Sequence, residues 1–277
     1  MSTAEIVIPA PQARPRAFSP LVTLARRRFQ LTARTPRELF VPLLTPIMFA
    51  LVIAPALKTA LHTDASYESF VAIGTVGLLI PLNTMFSGLG VIVDRENGAQ
   101  RELLAAPIPR ALLVLGNLVV AFAITGLQVA VLIGVASARR INFDATTNGV
   151  LWFVAAAGLF AIGMYGLAEI LASRVPRQEE YIARVPAIAI LPWFLAGALF
   201  PITALPHFLH WVARFLPLTH ALALMRYGLL GDSSSLHNIW GMSSAAGMAA
   251  LSTGVVAAFA LVLSVVSIRV FTRSALA

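Results

Sequence analysis

Six apolar runs limit what this chain can fold into. They cover approximately residues 39–57, 70–93, 111–137, 149–172, 185–203 and 245–268. Each is close to the roughly 20 residues that a helix needs to cross a hydrocarbon core of about 30 Å. A soluble domain has no interior large enough to hide them. Of the 277 residues, 58% are hydrophobic and 12% are charged, against a charged fraction of about 25% in soluble domains. Lipid offers no partner to an unpaired backbone group, so such runs become helices or the strands of a closed barrel. Barrel strands alternate over about 10 residues, and the third run, LLVLGNLVVAFAITGLQVAVLIGVA, does not alternate. The chain therefore reads as an all-α polytopic membrane protein, with a six-span domain over residues 39–277.

The charges orient these spans. A formal net charge of +8 would suggest a nucleic-acid partner in a soluble protein, but no soluble basic domain exists here to carry one. With the N-terminus placed in the cytoplasm, the inner segments 1–38, 94–110, 173–184 and the tail from 269 hold fifteen basic residues. The outer segments 58–69, 138–148 and 204–244 hold five. That is the positive-inside bias, and it puts Trp152, Trp193, Trp211 and Trp240 toward the outer interface. The expected location is a plasma or inner cell membrane, with both termini cytoplasmic and a bacterial source. Residues 1–17 are rich in Pro, Ala and Arg and are expected to be disordered; they lack the apolar stretch of a signal peptide. Over 18–38, Phe18, Val22, Ala25 and Phe29 share one helical face, while Arg26, Gln30, Arg34 and Arg37 share another. This is the pattern of an amphipathic helix lying on the membrane surface.

Several chemistries lack their residues. A P-loop needs a glycine-rich turn and a lysine, and the only lysine, Lys58 in PALKTAL, has no such turn before it. ATP hydrolysis is therefore not expected of this chain. There is no cysteine, and no zincin, triad or nucleophile-elbow pattern. His62, His207, His210, His220 and His237 all fall in outer segments. His207 and His210 could share a helix face, but a metal would need further ligands, so interfacial histidine is the favoured reading. Glu169 is the one carboxylate inside a run; an interfacial position near Arg174 is favoured over a contact on a transport path or to a partner. The small residues of GTVGLLI and GMYGLAE permit close helix packing. The segment FPITALPHFLHWVARFLPLTHALALMRYGLLG is too apolar for a loop and is broken by Pro201, Pro206 and Pro217. It predicts a re-entrant helical hairpin over 204–231, dipping in from the outer face before the last span.

One dense polar segment, DRENGAQRELLAAPIPR at 94–110, separates the second and third runs. It predicts a short helix through Glu96–Leu104, stopped by Pro107 and Pro109 and lying along the inner surface. Composition alone leaves two readings open, a plain polar loop and a contact for a soluble partner.

The segment resembles the one that follows the second span in ATP-binding-cassette type-2 export permeases. An Arg-Glu pair, a glycine, a leucine pair, a proline and an arginine recur in that family, here as Arg95, Glu96, Gly98, Leu103, Leu104, Pro107 and Arg110. Where the family often has Gly-Thr-Leu-Glu, this chain has Gly98-Ala99-Gln100-Arg101, followed by Glu102. A second match is carried by Phe200, Pro201, Leu205, Pro206, Leu216, Pro217, Thr219, His220, Arg226 and Gly231. The drug-resistance and antibiotic-export branch, similar to daunorubicin-resistance permeases, is the nearest in character. The resemblance implies that 94–110 is a coupling helix docking on a separate ATPase, with Arg101 and Glu102 among its contacts. It implies that Phe18, Val22, Arg26, Phe29 and Arg34 belong to a connecting helix touching the same partner. Two permease halves, identical or different, would work with two ATPase copies, which bind the ATP and magnesium; this chain would bind no cofactor itself. The cargo expected is a hydrophobic or amphipathic small molecule, or a lipid. Polysaccharide or glycolipid export, secondary transport and a non-transporting membrane sensor or scaffold are the alternatives.

Overall fold

The computed structural model describes residues 18–33, 44–62, 66–105, 109–143 and 146–274, and every regular element among them is helical. The expectations for 1–17, for Arg34 with the rest of 34–38, and for Pro107 lie outside the described residues. Phe18, Arg101, Leu104 and Arg110 are placed by backbone only.

Helix α1 (Phe18–Ala33) is followed by α2 (Leu44–Leu61), α3 (Ser66–Glu96), the short α4 (Ala99–Ala105), α5 (Arg110–Ala138) and α6 (Thr147–Arg174). Then come α7 (Gln178–Leu195), α8 (His207–Phe215), α9 (Pro217–Leu230), α10 (Ser234–Trp240) and α11 (Ala245–Ser274). Among the described residues, α2, α3, α5, α6 and α11 are long and apolar enough to cross a membrane. The bent pair α8 and α9 would make a sixth if counted as one span. The all-helical, polytopic architecture read from the sequence is the one observed.

The fifth run departs from its expected bounds. Instead of 185–203, the helix begins at Gln178 and ends at Leu195. It starts early because Glu179 and Glu180 favour the positive end of a helix. It ends early because Gly197 turns the chain at φ +78, a conformation open to glycine, and Pro201 follows. Helix α7 still runs antiparallel along α3. The Gln178 side chain donates to Glu96 at one end, the Tyr181 hydroxyl donates to the Met85 carbonyl (2.7 Å), and the Trp193 indole donates to the Gly74 carbonyl (2.7 Å).

Helix α3 is the centre of the bundle. Every residue from Val71 to Pro81 is buried, while α2, α5 and α11 leave much of their apolar surface outward. Leu51, Leu127 and Leu261 are exposed in this way, which suits helices solvated by lipid. The two small-residue motifs mark close crossings. A methyl group on Gly163 would strike the Phe259 ring, and one on Gly166 the backbone of Leu263, both in α11. On α3, Gly74 faces the Ala198 carbonyl and Gly77 faces Leu218 and Leu222. Gly149 in the first turn of α6 and Gly228 of α9 press backbone against backbone.

These last contacts seat the broken segment. Helices α8 and α9 meet at Leu216 with a bend of 79°. Pro217 forces that break, since it supplies no N–H and holds Leu216 extended. Gly228 meets Gly149 in the first turn of α6, and Arg226 reaches the Phe70 carbonyl (3.4 Å) near the start of α3, so the segment enters and leaves at one end of the bundle. On α8, Phe208, Trp211 and Phe215 form one exposed aromatic stripe.

At the other end α3 runs past its expected limit at 93 and takes in Glu96, the residue at which the polar helix was expected to begin. Gly98 adopts φ +77 and its N–H bonds the Arg95 carbonyl (3.1 Å), a left-handed helix stop. Asp94, Arg95 and Glu96 therefore belong to α3, and the polar helix proper is α4.

Two outcomes follow from this packing. Gly74→Ala puts a methyl into the Ala198 carbonyl and is expected to cost about 1–3 kcal/mol. Gly134→Ala, which meets nothing within 4 Å, is expected to leave stability unchanged or slightly raised. Thermal unfolding in detergent measures both. In this cysteine-free chain, single cysteines at Ala99 and Ser234 should react with a membrane-impermeant maleimide from opposite faces of a sealed vesicle; reaction from one face contradicts the arrangement of ends.

Candidate functional site

The corner at the end of α3 is built around Arg95. Its guanidinium donates to the carbonyls of Ala172 (3.0 Å), Val175 (2.5 Å) and Pro176 (3.1 Å). These lie where α6 ends and turns into α7. The last carbonyls of a helix have no partner within it, and the cation also meets the negative end of the α6 dipole. Only a planar fork of several N–H groups reaches so many acceptors at once. Glu96 beside it accepts from Gln178. One residue pair thus ties α3 to the α6–α7 turn.

Helix α1 joins the same corner. Leu24 sits against Gly116 of α5, and the Arg27 guanidinium lies 3.5 Å from the Asp94 carboxylate. The apolar face read from the sequence does not face the bundle. Val22 and Phe29 are more than half exposed and Arg26 is exposed next to them; Leu24 and Arg27, on the opposite side, make the contacts. The Val22 and Phe29 face is left for lipid. Along α4, Leu103 packs toward the core while Glu102 and Ala105 are exposed. Arg95, Glu96, Gly98, Leu103 and α1 are therefore brought together, and Glu102 is presented outward.

Glu169 occupies a different place from the one favoured by its sequence. It is 1% exposed and accepts a hydrogen bond from Tyr165, one turn earlier on α6. Arg174 is exposed and not its partner. The carboxylate lies inside the bundle beside Tyr181, whose hydroxyl bridges to α3.

At the opposite end the hairpin residues are gathered, mostly as struts. Arg226 is 3% exposed, lies 3.4 Å over the Phe70 ring, and donates to the Ala198 carbonyl (3.1 Å). The His220 ring contacts the Ser252 hydroxyl (3.2 Å) and the Arg214 carbonyl (2.9 Å), and the Trp240 indole donates to the same hydroxyl (2.8 Å). Thr219 is buried beside them, Pro206 and Pro217 start α8 and α9, and Phe200 and Pro201 shape the entry.

Sequence reasoning missed one feature here. Glu68, in the first turn of α3, pairs with Lys58 of α2 (3.1 Å) and with Arg139 at the end of α5 (3.4 Å). Arg139 also donates to the Ala50 carbonyl, within the π-helical stretch Phe49–Ile53 of α2. These residues line an open cleft of about 1020 Å³. The signal was available: one acidic and two basic residues stand at adjoining ends of three consecutive runs.

Comparison with known proteins follows this geometry. The ABC-2 type transporter family profile matches residues 20–230, from α1 to the end of α9. The protein named "Putative transport permease ycf38" of Porphyra purpurea is 27% identical over 209 residues, covering 74% of this chain and 72% of that protein. Its namesake in Pyropia yezoensis is 27% identical over 187 residues, covering 67% and 64%. Both are from red algae, so the expectation of a bacterial source gains nothing from them. With six apolar runs, the polar corner after α3 and the broken segment before α11 all inside or beside the matched region, the chain belongs to the ABC-2 type transporter family.

Proposed function

We propose that this chain is the membrane subunit of an ATP-driven exporter, working with a second permease half and two copies of a separate ATPase. The observation that supports it most is the Arg95 corner. A polar helix stands clear of the apolar bundle, yet the residue at its root is hydrogen-bonded to the turn joining α6 and α7. A push on α4 is thereby delivered to α6, which packs on α3, α9 and α11. ATP acts by favouring one arrangement of the ATPase pair, and the bundle follows to the extent that its two arrangements bind that partner differently. Helix α1, anchored at Leu24 and Arg27, completes the docking face. In this reading the Glu96 end is cytoplasmic, along with both termini, and the Ser66 end is outside.

The cargo is a hydrophobic or amphipathic small molecule, such as a drug or antibiotic, or a lipid. Among the described residues the depth of the bundle is mainly apolar, and its polar groups are neutral apart from Glu169: Asn83 donates to Gln128 (2.9 Å), and Thr84 and Thr125 are buried. Glu169 is held within α6 by Tyr165, and a proton relay would want a chain of such groups. Nothing in this arrangement favours ion-coupled transport.

Purification from the native membrane with gentle detergent should bring down a soluble-type ATPase, and the isolated chain should hydrolyse no ATP. Hydrolysis by the chain alone overturns the subunit reading. Glu102→Arg, at an exposed position, should weaken ATPase association about tenfold or more, as expected for loss of a charged contact.

A further inference from the structure

The cleft at the Ser66 end collects charge against the trend of the chain. Basic residues at that end are Lys58, Arg139, Arg140, Arg214 and Arg226. Arg226 is buried under the hairpin, and Arg214 donates to the Asn238 carbonyl (3.3 Å) beside Trp211. The remaining three come from separate segments, α2 and the end of α5, and all line the one cleft of about 1020 Å³. That volume matches sites for drug-sized ligands, about 300–1,000 Å³.

The acidic groups in the cleft are already engaged. Glu68 gives one oxygen to Lys58 and the other to Arg139. Asp232 accepts from the Ser234 amide (2.8 Å) and hydroxyl (2.9 Å) as it opens α10. Arg140 is exposed; its N–H bonds the Ser137 carbonyl (2.9 Å), and its guanidinium makes no ion pair or hydrogen bond among the described residues. It is also held at φ +63, and the only other non-glycine residue with positive φ among the described residues, His62 at φ +51, lines the same cleft. A position after a helix end at positive φ is normally filled by glycine, because a side chain costs roughly 1–2 kcal/mol there. Strain of this kind gathers at ligand sites. At Arg140 it keeps on the rim a guanidinium with no partner among the described residues.

We propose that this cleft is a binding site for the anionic headgroup of an amphiphile, held chiefly by Arg140 with Lys58 and Arg139 behind it. Arg140 supplies a planar fork suited to a phosphate-type or carboxylate group. Lys58 retains N–H groups beyond the one facing Glu68. The headgroup charge is met at the end of the bundle, so the apolar depth need not accommodate it. The inference rests on the amphiphile-export reading above and names the charge its cargo carries.

The test is direct binding to the full chain in a neutral detergent, without ATPase or transport. Dihexanoylphosphatidylglycerol should bind saturably and more weakly as salt rises. Arg140→Gln should weaken it about tenfold, the size expected for one charged contact, with Arg140→Lys retaining most of the affinity. Lys58→Gln should act in the same direction. Dihexanoylphosphatidylcholine should bind at least tenfold more weakly to the wild type. Equal affinity of wild type and Arg140→Gln, or of the two lipids, overturns the site. Inorganic phosphate binding as tightly as the anionic lipid overturns the headgroup assignment. Because no nucleotide is involved, failure here leaves the ATPase-subunit reading standing, and loss of that reading leaves the binding result interpretable.

Discussion

Arginine donating to main-chain carbonyls is the interaction on which the rest of this structure depends. A bilayer forbids unsatisfied backbone groups, yet this chain breaks its helices at membrane depth and at both ends of the bundle. Each break releases carbonyls. At four places an arginine meets the carbonyls so released, while at the α8–α9 break the His220 ring meets the Arg214 carbonyl. Arg95 takes three where α6 gives way to α7. Arg139 takes Ala50 in the π-helical stretch of α2. Arg226 takes Ala198, and Arg214 takes Asn238. With Lys58 as the only lysine, the preference has a physical basis. A guanidinium carries five N–H groups in a fixed plane and is weakly hydrated, whereas an ammonium is a compact, strongly hydrated point charge.

The same device serves two ends with different tasks. At the Ser66 end it fixes the hairpin, helped by Gly74 and Gly149, which let backbone approach backbone, and by Gly77, which makes room for the Leu218 and Leu222 side chains. At the Glu96 end it fixes a turn to the root of an exposed helix. Helix α6 links the two: Arg95 holds its end, Gly149 in its first turn holds α9, and Gly163 and Gly166 hold α11. A displacement applied at α4 has a continuous packed route to the hairpin and the cleft beside it.

Much of this was legible in the sequence, for physical reasons. Helices in lipid announce themselves by length and apolarity, so six runs and the proline-broken segment stood out; five of those runs are helices long and apolar enough to span, and α7, at the run read as the fifth span, is not among them. Glycine motifs forecast close crossings, although not which helix would cross. The fifth helix was misplaced because apolarity was taken to define its ends, while charged Glu179 and Glu180 lay inside its first turn. Glu169 was misread because depth along a helix says nothing of which way the side chain points. On α1 the apolar residues Val22 and Phe29, read as a membrane-facing stripe, do point away from the bundle, but the sequence did not show that Leu24 and Arg27 carry the contacts to it. The Glu68, Lys58 and Arg139 network was invisible to any single segment, since its members stand at the ends of three different helices.

The account stands or falls on whether the Arg95 corner transmits work. ATP hydrolysis and cargo transport should be measured together on vesicles containing the reconstituted complex, with Arg95→Ala and Arg95→Lys. The structure predicts that both variants assemble and hydrolyse ATP, while transport per ATP falls about tenfold or more, because alanine donates nothing and the compact lysine ammonium lacks the planar fork that spans these carbonyls. Wild-type transport per ATP in both variants would contradict it.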